Sequence, residues 1–295
     1  MSQTQAISAA AAGTITLGGD LTVNRLGYGA MRITGKGIWG PPEDKAAALA
    51  TLRRAVELGV NFIDTADSYG PYVSEELIAE ALYPYPAGVV VATKGGWERS
   101  GPAQWLHNAD PKHLTEAVEG SLKRLRLDRI DVYQLHVPDP AVSYDASMET
   151  LAKLREQGKI RHVGLSNVTQ EHVERGRKIV PIVSVQNRYS FADREWDYLV
   201  NYCEQHGIAF LPWAPLGQNR KALEILEKVA KELGATTLQA GLAWLLKRSK
   251  IMLPIPGTSS PAHVEENIAA AGLELPDAAF KELSSVNPPP VSYRG

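Results

Sequence analysis

Four side chains of the kinds that move protons stand where short apolar runs end. Asp64 closes the run 61–64, Tyr69 follows it, Lys94 comes directly after 89–93 and His136 directly after 130–135. Singly, each has an ordinary structural reading: a turn cap for Asp64, a loop anchor for Tyr69, a solvated Lys94, a hydrogen-bonded His136. Together they form a set with a purpose. A phenol has an unperturbed pKa of about 10, too high for easy proton donation near neutrality. An ammonium beside it favours the phenolate and lowers that pKa. Lys94 can do this for Tyr69 while Asp64 keeps the lysine charged and in place. His136 can orient a carbonyl oxygen or pass a proton to Tyr69. Donors aimed at an oxygen that becomes an alkoxide are what hydride addition to a carbonyl needs. No side chain supplies a hydride, so a cofactor must.

The elements that must position these groups alternate along the chain. A hairpin is predicted over 14–24, turning at Gly18-Gly19-Asp20. Eight apolar runs follow, at 25–30, 61–64, 89–93, 130–135, 160–165, 183–186, 208–212 and 252–255. Helical spacing separates them, at 44–58, 74–82, 111–125, 147–157, 169–178, 193–206, 221–233, 237–248 and 261–270, with a last helix over 277–286 stopped by the prolines at 288–290. Near-continuous apolar strands imply a parallel sheet covered on both faces. Eight units favour closure, so the fold class is α/β: a (β/α)8 TIM barrel with an N-terminal β-hairpin and extra C-terminal helices. An open dinucleotide-binding sheet is the rival, but no Gly-x-Gly-x-x-Gly turn follows any run. Residues 1–13, rich in Ala, Ser and Gln, read as a disordered leader, and 14–295 as one domain.

In such a barrel the C-terminal ends of the strands carry function, which is where the four groups fall. The loops after the first, third and fourth strands offer Met31, Arg32, Trp39, Trp97, Trp105 and His107. Trp39 and Trp97, with Tyr69 and His136, are the candidate substrate-binding residues. A tryptophan-rich rim suits a flat aromatic aldehyde or a quinone-like carbonyl. Residues 95–111 read as a long loop. Either Arg32 or Arg99 could meet an anionic substituent.

Composition narrows the classes. The formal net charge is −2, from 31 basic and 33 acidic residues, which gives no electrostatic case for nucleic acid or an anionic membrane. The one cysteine, Cys203, excludes an internal disulfide and a cysteine-built zinc cluster; it reads as a small buried hydrophobe, and no metal is expected. No run approaches the roughly 18 apolar residues of a membrane span. A cytoplasmic protein acting on a small molecule is expected.

These motifs resemble the aldo-keto reductase superfamily over nearly the whole chain. Asn-Phe-Ile-Asp-Thr-Ala-Asp-Ser-Tyr-Gly (61–70), Val-Ala-Thr-Lys (91–94) and Asp-Val-Tyr-Gln-Leu-His (131–136) are similar to its second-, third- and fourth-strand signatures. The resemblance implies catalysis by Asp64, Tyr69, Lys94 and His136. It implies that Ser166, Asn167 and Gln186 hold a nicotinamide carboxamide and that Trp213, in Trp-Ala-Pro-Leu-Gly, stacks on the ring. It adds Gly29, Met31, Asp64, Ala214, Pro215, Leu216 and Gly217 to the cofactor contacts. The segment 255–267 resembles the family's adenosine-phosphate segment. The family often has a Lys where Gly257 stands and an Arg where His263 stands, so both usual contacts to a 2′-phosphate are weakened. Thr258, Ser259 and free amides can still hold a phosphate, His263 can help if protonated, and Glu266 and Asn267 match adenine contacts. The resemblance implies NADPH, with NADH as the alternative, and a monomer. The stretches 24–32, 69–73, 81–85 and 255–260 are most similar to bacterial pyridoxal reductase-type members, making pyridoxal a candidate substrate. Two rivals stand beside this reading: a nucleotide-binding regulatory subunit with little turnover, and a barrel aldolase or isomerase using Lys94 as a Schiff base.

Overall fold

The computed structural model describes residues 7–215 and 220–286. Strands β1 (Thr14–Leu17) and β2 (Leu21–Asn24) form the antiparallel hairpin, with Leu17 opposite Leu21. The alternation follows as β3 (Tyr28–Gly29), α1 (Lys45–Glu57), β4 (Phe62–Asp64), α2 (Val73–Leu82) and β5 (Val90–Gly95). A second hairpin, β6 (Trp97–Gly101) and β7 (Gln104–His107), precedes α3 (Pro111–Leu125). Then come β8 (Ile130–Leu135), α4 (Tyr144–Glu156), β9 (Ile160–Ser166), α5 (Gln170–Ile179), β10 (Ile182–Gln186), α6 (Asp197–Gln205) and β11 (Ala209–Phe210). Four helices end the described chain: α7 (Arg220–Glu232), α8 (Thr237–Arg248), α9 (Pro261–Ala269) and α10 (Asp277–Ser285). Among the described residues no helix is long and apolar enough to cross a membrane.

Seven strands pair in parallel in the order β3-β4-β5-β8-β9-β10-β11. The predicted eighth strand is instead a single bridge, Phe210 to Met252. The reason is chemical: Pro254 and Pro256 have no N–H to donate, so a regular ladder cannot continue through them. Their carbonyls still accept from Gly27 N (2.9 Å) and Gly29 N (3.3 Å), and Leu253 N donates to Phe210 O (2.9 Å). The segment thus joins β11 to β3 and closes the ring. The first and seventh strands are likewise shorter than their apolar runs.

Side-chain alternation divides the interior in two. Phe62, Val90, Ala92 and Val132 point into the barrel, where Leu17, Leu21 and Val23 of the N-terminal hairpin pack against them. Ile63, Val91, Tyr133 and Leu135 point outward into the layer shared with the helices. The hairpin therefore plugs one end of the barrel, and the inward positions two residues further along β4, β5 and β8 carry polar groups. Truncating Phe62, wholly buried, to alanine costs about 3–5 kcal/mol by the usual scale for core aromatics.

Several expectations need correcting. Of the leader, residues 7–13 are ordered: Ser8 caps a 3-10 turn over Ala9–Ala12, Ala9 is buried, and its N–H donates to Leu58 O (2.8 Å). Residues 1–6 lie outside the described chain, as do the prolines at 288–290. Residues 95–111 are largely a β-hairpin. Helix α4 starts a turn early because Ser143 accepts from Ala146 N. Helix α6 starts four residues late because reciprocal backbone bonds between Ser190 and Asp193 hold a turn there.

Candidate active site

The register of four strands, β3, β4, β5 and β8, assembles the polar layer. Gly29 pairs with Asp64, Asp64 with Ala92, and Lys94 with Gln134. Asp64, Lys94 and Gln134 follow Phe62, Ala92 and Val132 at a spacing of two, so they share the inward face. His136 continues that face one step beyond β8, and its N–H is fixed by Gly95 O (2.9 Å).

Lys94 is wholly buried and fully used. Its Nζ donates to Asp64 Oδ2 (2.7 Å), Thr65 O (2.7 Å) and Tyr69 Oη (3.4 Å). Burial disfavours its charge, but Asp64 and Tyr69 outweigh that and hold its pKa above the ordinary lysine value. A lysine so held is no amine nucleophile, which removes the geometric basis for the Schiff-base reading. The other oxygen of Asp64 accepts from Gln186 Nε2 (2.8 Å) and Gln134 Nε2 (3.1 Å). A buried pair with its remaining lone pairs satisfied is the arrangement that survives desolvation.

For Tyr69 the expected direction is reversed. Burial raises its pKa, Lys94 pulls it down, and Asp64 raises it again; the balance lies above 10. Tyr69 therefore keeps its proton near neutrality, with the Lys94 ammonium 3.4 Å from its hydroxyl. The His136 ring lies edge-on to Tyr69, 5.8 Å between centroids. Burial, then Lys94, push its pKa well down, so the imidazole is neutral. Its Nδ1 lies 3.4 Å from Ser68 Oγ, leaving Nε2 free of protein partners among the described residues.

The aromatic wall continues outward. Trp97 lies edge-on to His136 (6.3 Å) and tilted over His107 (4.4 Å), with Trp105 beyond it (5.9 Å). Trp39 sits apart from that stack and is bridged to Gly70. Arg99 ties these parts together and is not available to an anion. Its guanidinium donates to Ile38 O, Ser68 O and Gln104 O (2.8–2.9 Å) and to Gly37 O (3.0 Å), lying over the Trp105 ring at 3.8 Å.

The candidate cofactor contacts ring the same mouth. Ser166 Oγ donates to Gln186 O (3.0 Å), and Asn167, at φ 55°, donates from Nδ2 to His136 O (3.0 Å). Trp213 is 38% exposed, with the Arg188 guanidinium 6.0 Å from its ring centroid; Ala214 follows at φ 55° with Pro215. Leu216 and Gly217 lie outside the described residues. Across the mouth, Met31, Gly257, Thr258 and Ser259 line one cavity of about 580 Å³. His263 is exposed and Glu266 half-buried on α9. The Oδ1 of Asn267 is buried with no protein partner, an orphaned acceptor of the sort a bound base would satisfy. With the close backbone approach of Gly29 to Ile255 O, these residues fit an extended dinucleotide.

Two contributors escaped sequence reasoning, and a third was given another role. Gln134 carries a detectable signal, a polar side chain at an inward position two before His136. Ser68 carries none, and Arg99, expected to meet an anion, instead bonds backbone carbonyls of loops that meet only in space.

The aldo/keto reductase family model matches residues 25–288. The chain is 46% identical to pyridoxine 4-dehydrogenase of Escherichia coli, over 93% of this chain and 98% of the relative. The solved glycerol dehydrogenase of Gluconobacter oxydans superposes with a TM-score of 0.85 at 27% identity, covering 96% of this chain and 99% of the other. An aldo/keto reductase from Klebsiella pneumoniae, solved with NADP and acetate, superposes at 0.79 with 27% identity, covering 94% and 96%. With its sheet, its plugged barrel and this rim, the chain is an oxidoreductase that belongs to the aldo/keto reductase family.

Proposed function

We propose that this enzyme reduces aromatic aldehydes, pyridoxal among them, with NADPH as cofactor and Tyr69 as the proton donor. The observation that carries the reading is the buried Lys94, at 2.7 Å from Asp64 and 3.4 Å from the Tyr69 hydroxyl. When bound, the dinucleotide supplies the hydride for the carbonyl carbon. Tyr69 gives its proton to the carbonyl oxygen, and Lys94 stabilises the phenolate left behind. Neutral His136 donates from Nε2 to the same oxygen, orienting it and stabilising the charge that develops there. Asp64 holds Lys94, and the Gln134 and Gln186 amides hold Asp64. Ser166, Asn167 and Gln186 are assigned to the carboxamide and Trp213 to the ring face; Asn267 offers its orphaned oxygen to the adenine.

The substrate class follows from the wall. Trp97, Trp105 and His107 stack into an aromatic shelf beside His136, which suits a flat ring bearing the carbonyl. The pyridoxine 4-dehydrogenase relative supports pyridoxal within that class.

The deciding experiment follows oxidation of NADPH and NADH with pyridoxal, nitrobenzaldehyde and phenanthrenequinone. Turnover with pyridoxal at least comparable to the others is expected. Efficient turnover of the others with none of pyridoxal would remove that substrate while leaving the reductase. Tight dinucleotide binding with no turnover of any carbonyl would instead favour a regulatory subunit.

A further inference from the structure

We infer that Arg32 and Lys36, in the loop after β3, bind a phosphate group of the dinucleotide. The inference rests on the reductase reading and adds residues that it does not use.

Both cations line the cavity of about 580 Å³ at the barrel mouth, opposite Gly257, Thr258 and Ser259. No acidic residue lines that cavity among the described residues. Neither Arg32 nor Lys36 has a hydrogen bond or ion pair there, whereas Arg54, Arg124, Arg161 and Arg248 all pair with carboxylates. The facing wall is a donor surface. The N–H groups of Gly257, Thr258 and Ser259 have no partner among the described residues. The Thr258 carbonyl is taken by the Tyr28 hydroxyl. Two unpaired cations across from free amides and hydroxyls are complementary to a phosphate.

The seam geometry explains why the charge comes from this side. A Cβ at position 257 would stand 2.6 Å from Gly29 O. That is a backbone contact, and Gly29 N is bonded to Pro256 O across the same seam. A long basic side chain at 257 would have to push apart the two segments that close the barrel. The Cγ of Arg32 lies 3.5 Å from where that Cβ would be. Arg32 thus lines the same space as Gly257, and the planar fork of a guanidinium matches phosphate oxygens in pairs.

The test titrates NADPH and NADH into the full chain, wild type and Arg32→Ala, by tryptophan fluorescence, with Arg32→Lys and Lys36→Ala alongside. Arg32→Ala is expected to weaken NADPH binding by about 10- to 100-fold, the usual range for losing charge-assisted hydrogen bonds, with partial rescue in Arg32→Lys. A loss confined to NADPH identifies the 2′-phosphate; an equal loss for NADH identifies the diphosphate. Unchanged binding of both by Arg32→Ala and Lys36→Ala overturns the inference while the reductase reading stands. Unchanged binding with a raised KM for pyridoxal phosphate alone also overturns it, assigning the cations to a substrate anion. Wild type that binds neither dinucleotide overturns the reductase reading, and this inference with it.

Discussion

At the scale of single residues the site depends on opposed influences on two protons. Burial raises the Tyr69 phenol while Lys94 pulls it down, so Tyr69 holds its proton at neutrality with a cation beside its oxygen, as the proposed donor role requires. Tyr69→Phe removes the donor and little else. Carbonyl reduction is expected to fall by about 10²- to 10⁴-fold, the range for a lost general acid, with NADPH affinity within about 3-fold; near-normal turnover would sink the assignment. The sign of the pH dependence follows from the same shift. A phenol with a raised pKa stays protonated through neutral and mildly alkaline solution, so the reduction step shows no descending limb below the ordinary phenol pKa of about 10. A profile of the chemical step that already declines between about pH 7 and 8 would contradict Tyr69 as the donor. His136 adds no descending limb there, because its depressed pKa leaves it neutral throughout.

At the scale of elements, the strands and helices were legible wherever one face alternates with a buried run. Asp64, Lys94 and His136 were legible for the same reason, each standing where such a run ends. The hairpin β6–β7 was not. Its residues alternate weakly, and Arg99 holds it by bonds to carbonyls from three separate stretches. Arg99→Ala is therefore expected to free the hairpin without disturbing the barrel. It should raise the aldehyde KM by about 10-fold, in line with losing several charge-assisted bonds, and speed amide exchange over 97–107. Exchange as slow as in wild type would mean that strand pairing suffices. The loop between β4 and α2 carries a different liability. Burial, then Glu75, push the Asp67 carboxyl well above its ordinary pKa, and its Oδ1 has no partner. A pKa raised on folding favours the folded state in the protonated form, so that stability is present below about pH 4 and lost as pH rises. Asp67→Asn should therefore melt higher than wild type at neutral pH, with the difference closing toward acid. A difference independent of pH would show that titration of Asp67 is not its cause.

At the scale of the molecule, the ring must be closed by a segment that cannot form a full strand. Periodicity in the sequence marks residues 252–255 as apolar but says nothing of what seals them against β3. Arg25 supplies part of that seal. Its guanidinium donates to Leu246 O (2.8 Å), Ser249 O (2.6 Å), Met252 O (3.3 Å) and Ala12 O (3.4 Å). One side chain thereby joins the residues ahead of β1, the last turn of α8 and the closing segment. It answers the prolines directly, since carbonyls around a broken ladder need donors from somewhere. Removing it leaves several half-buried acceptors short of a donor, a loss of about 2–4 kcal/mol on the usual scale. For a domain of this size that corresponds to roughly 5–15 °C in melting temperature. Arg25→Ala should show that drop by calorimetry while keeping kcat/KM within about 3-fold at 25 °C, because Asp64, Lys94 and Gln134 hang on β4, β5 and β8 and not on the closing segment itself. Gly29 ties the seam to Asp64 by one register step, so a steep loss of NADPH affinity in a still-folded Arg25→Ala would mean that closure also sets the mouth. An unchanged melting temperature would mean that the backbone bonds at Gly27, Gly29 and Leu253 close the barrel without it.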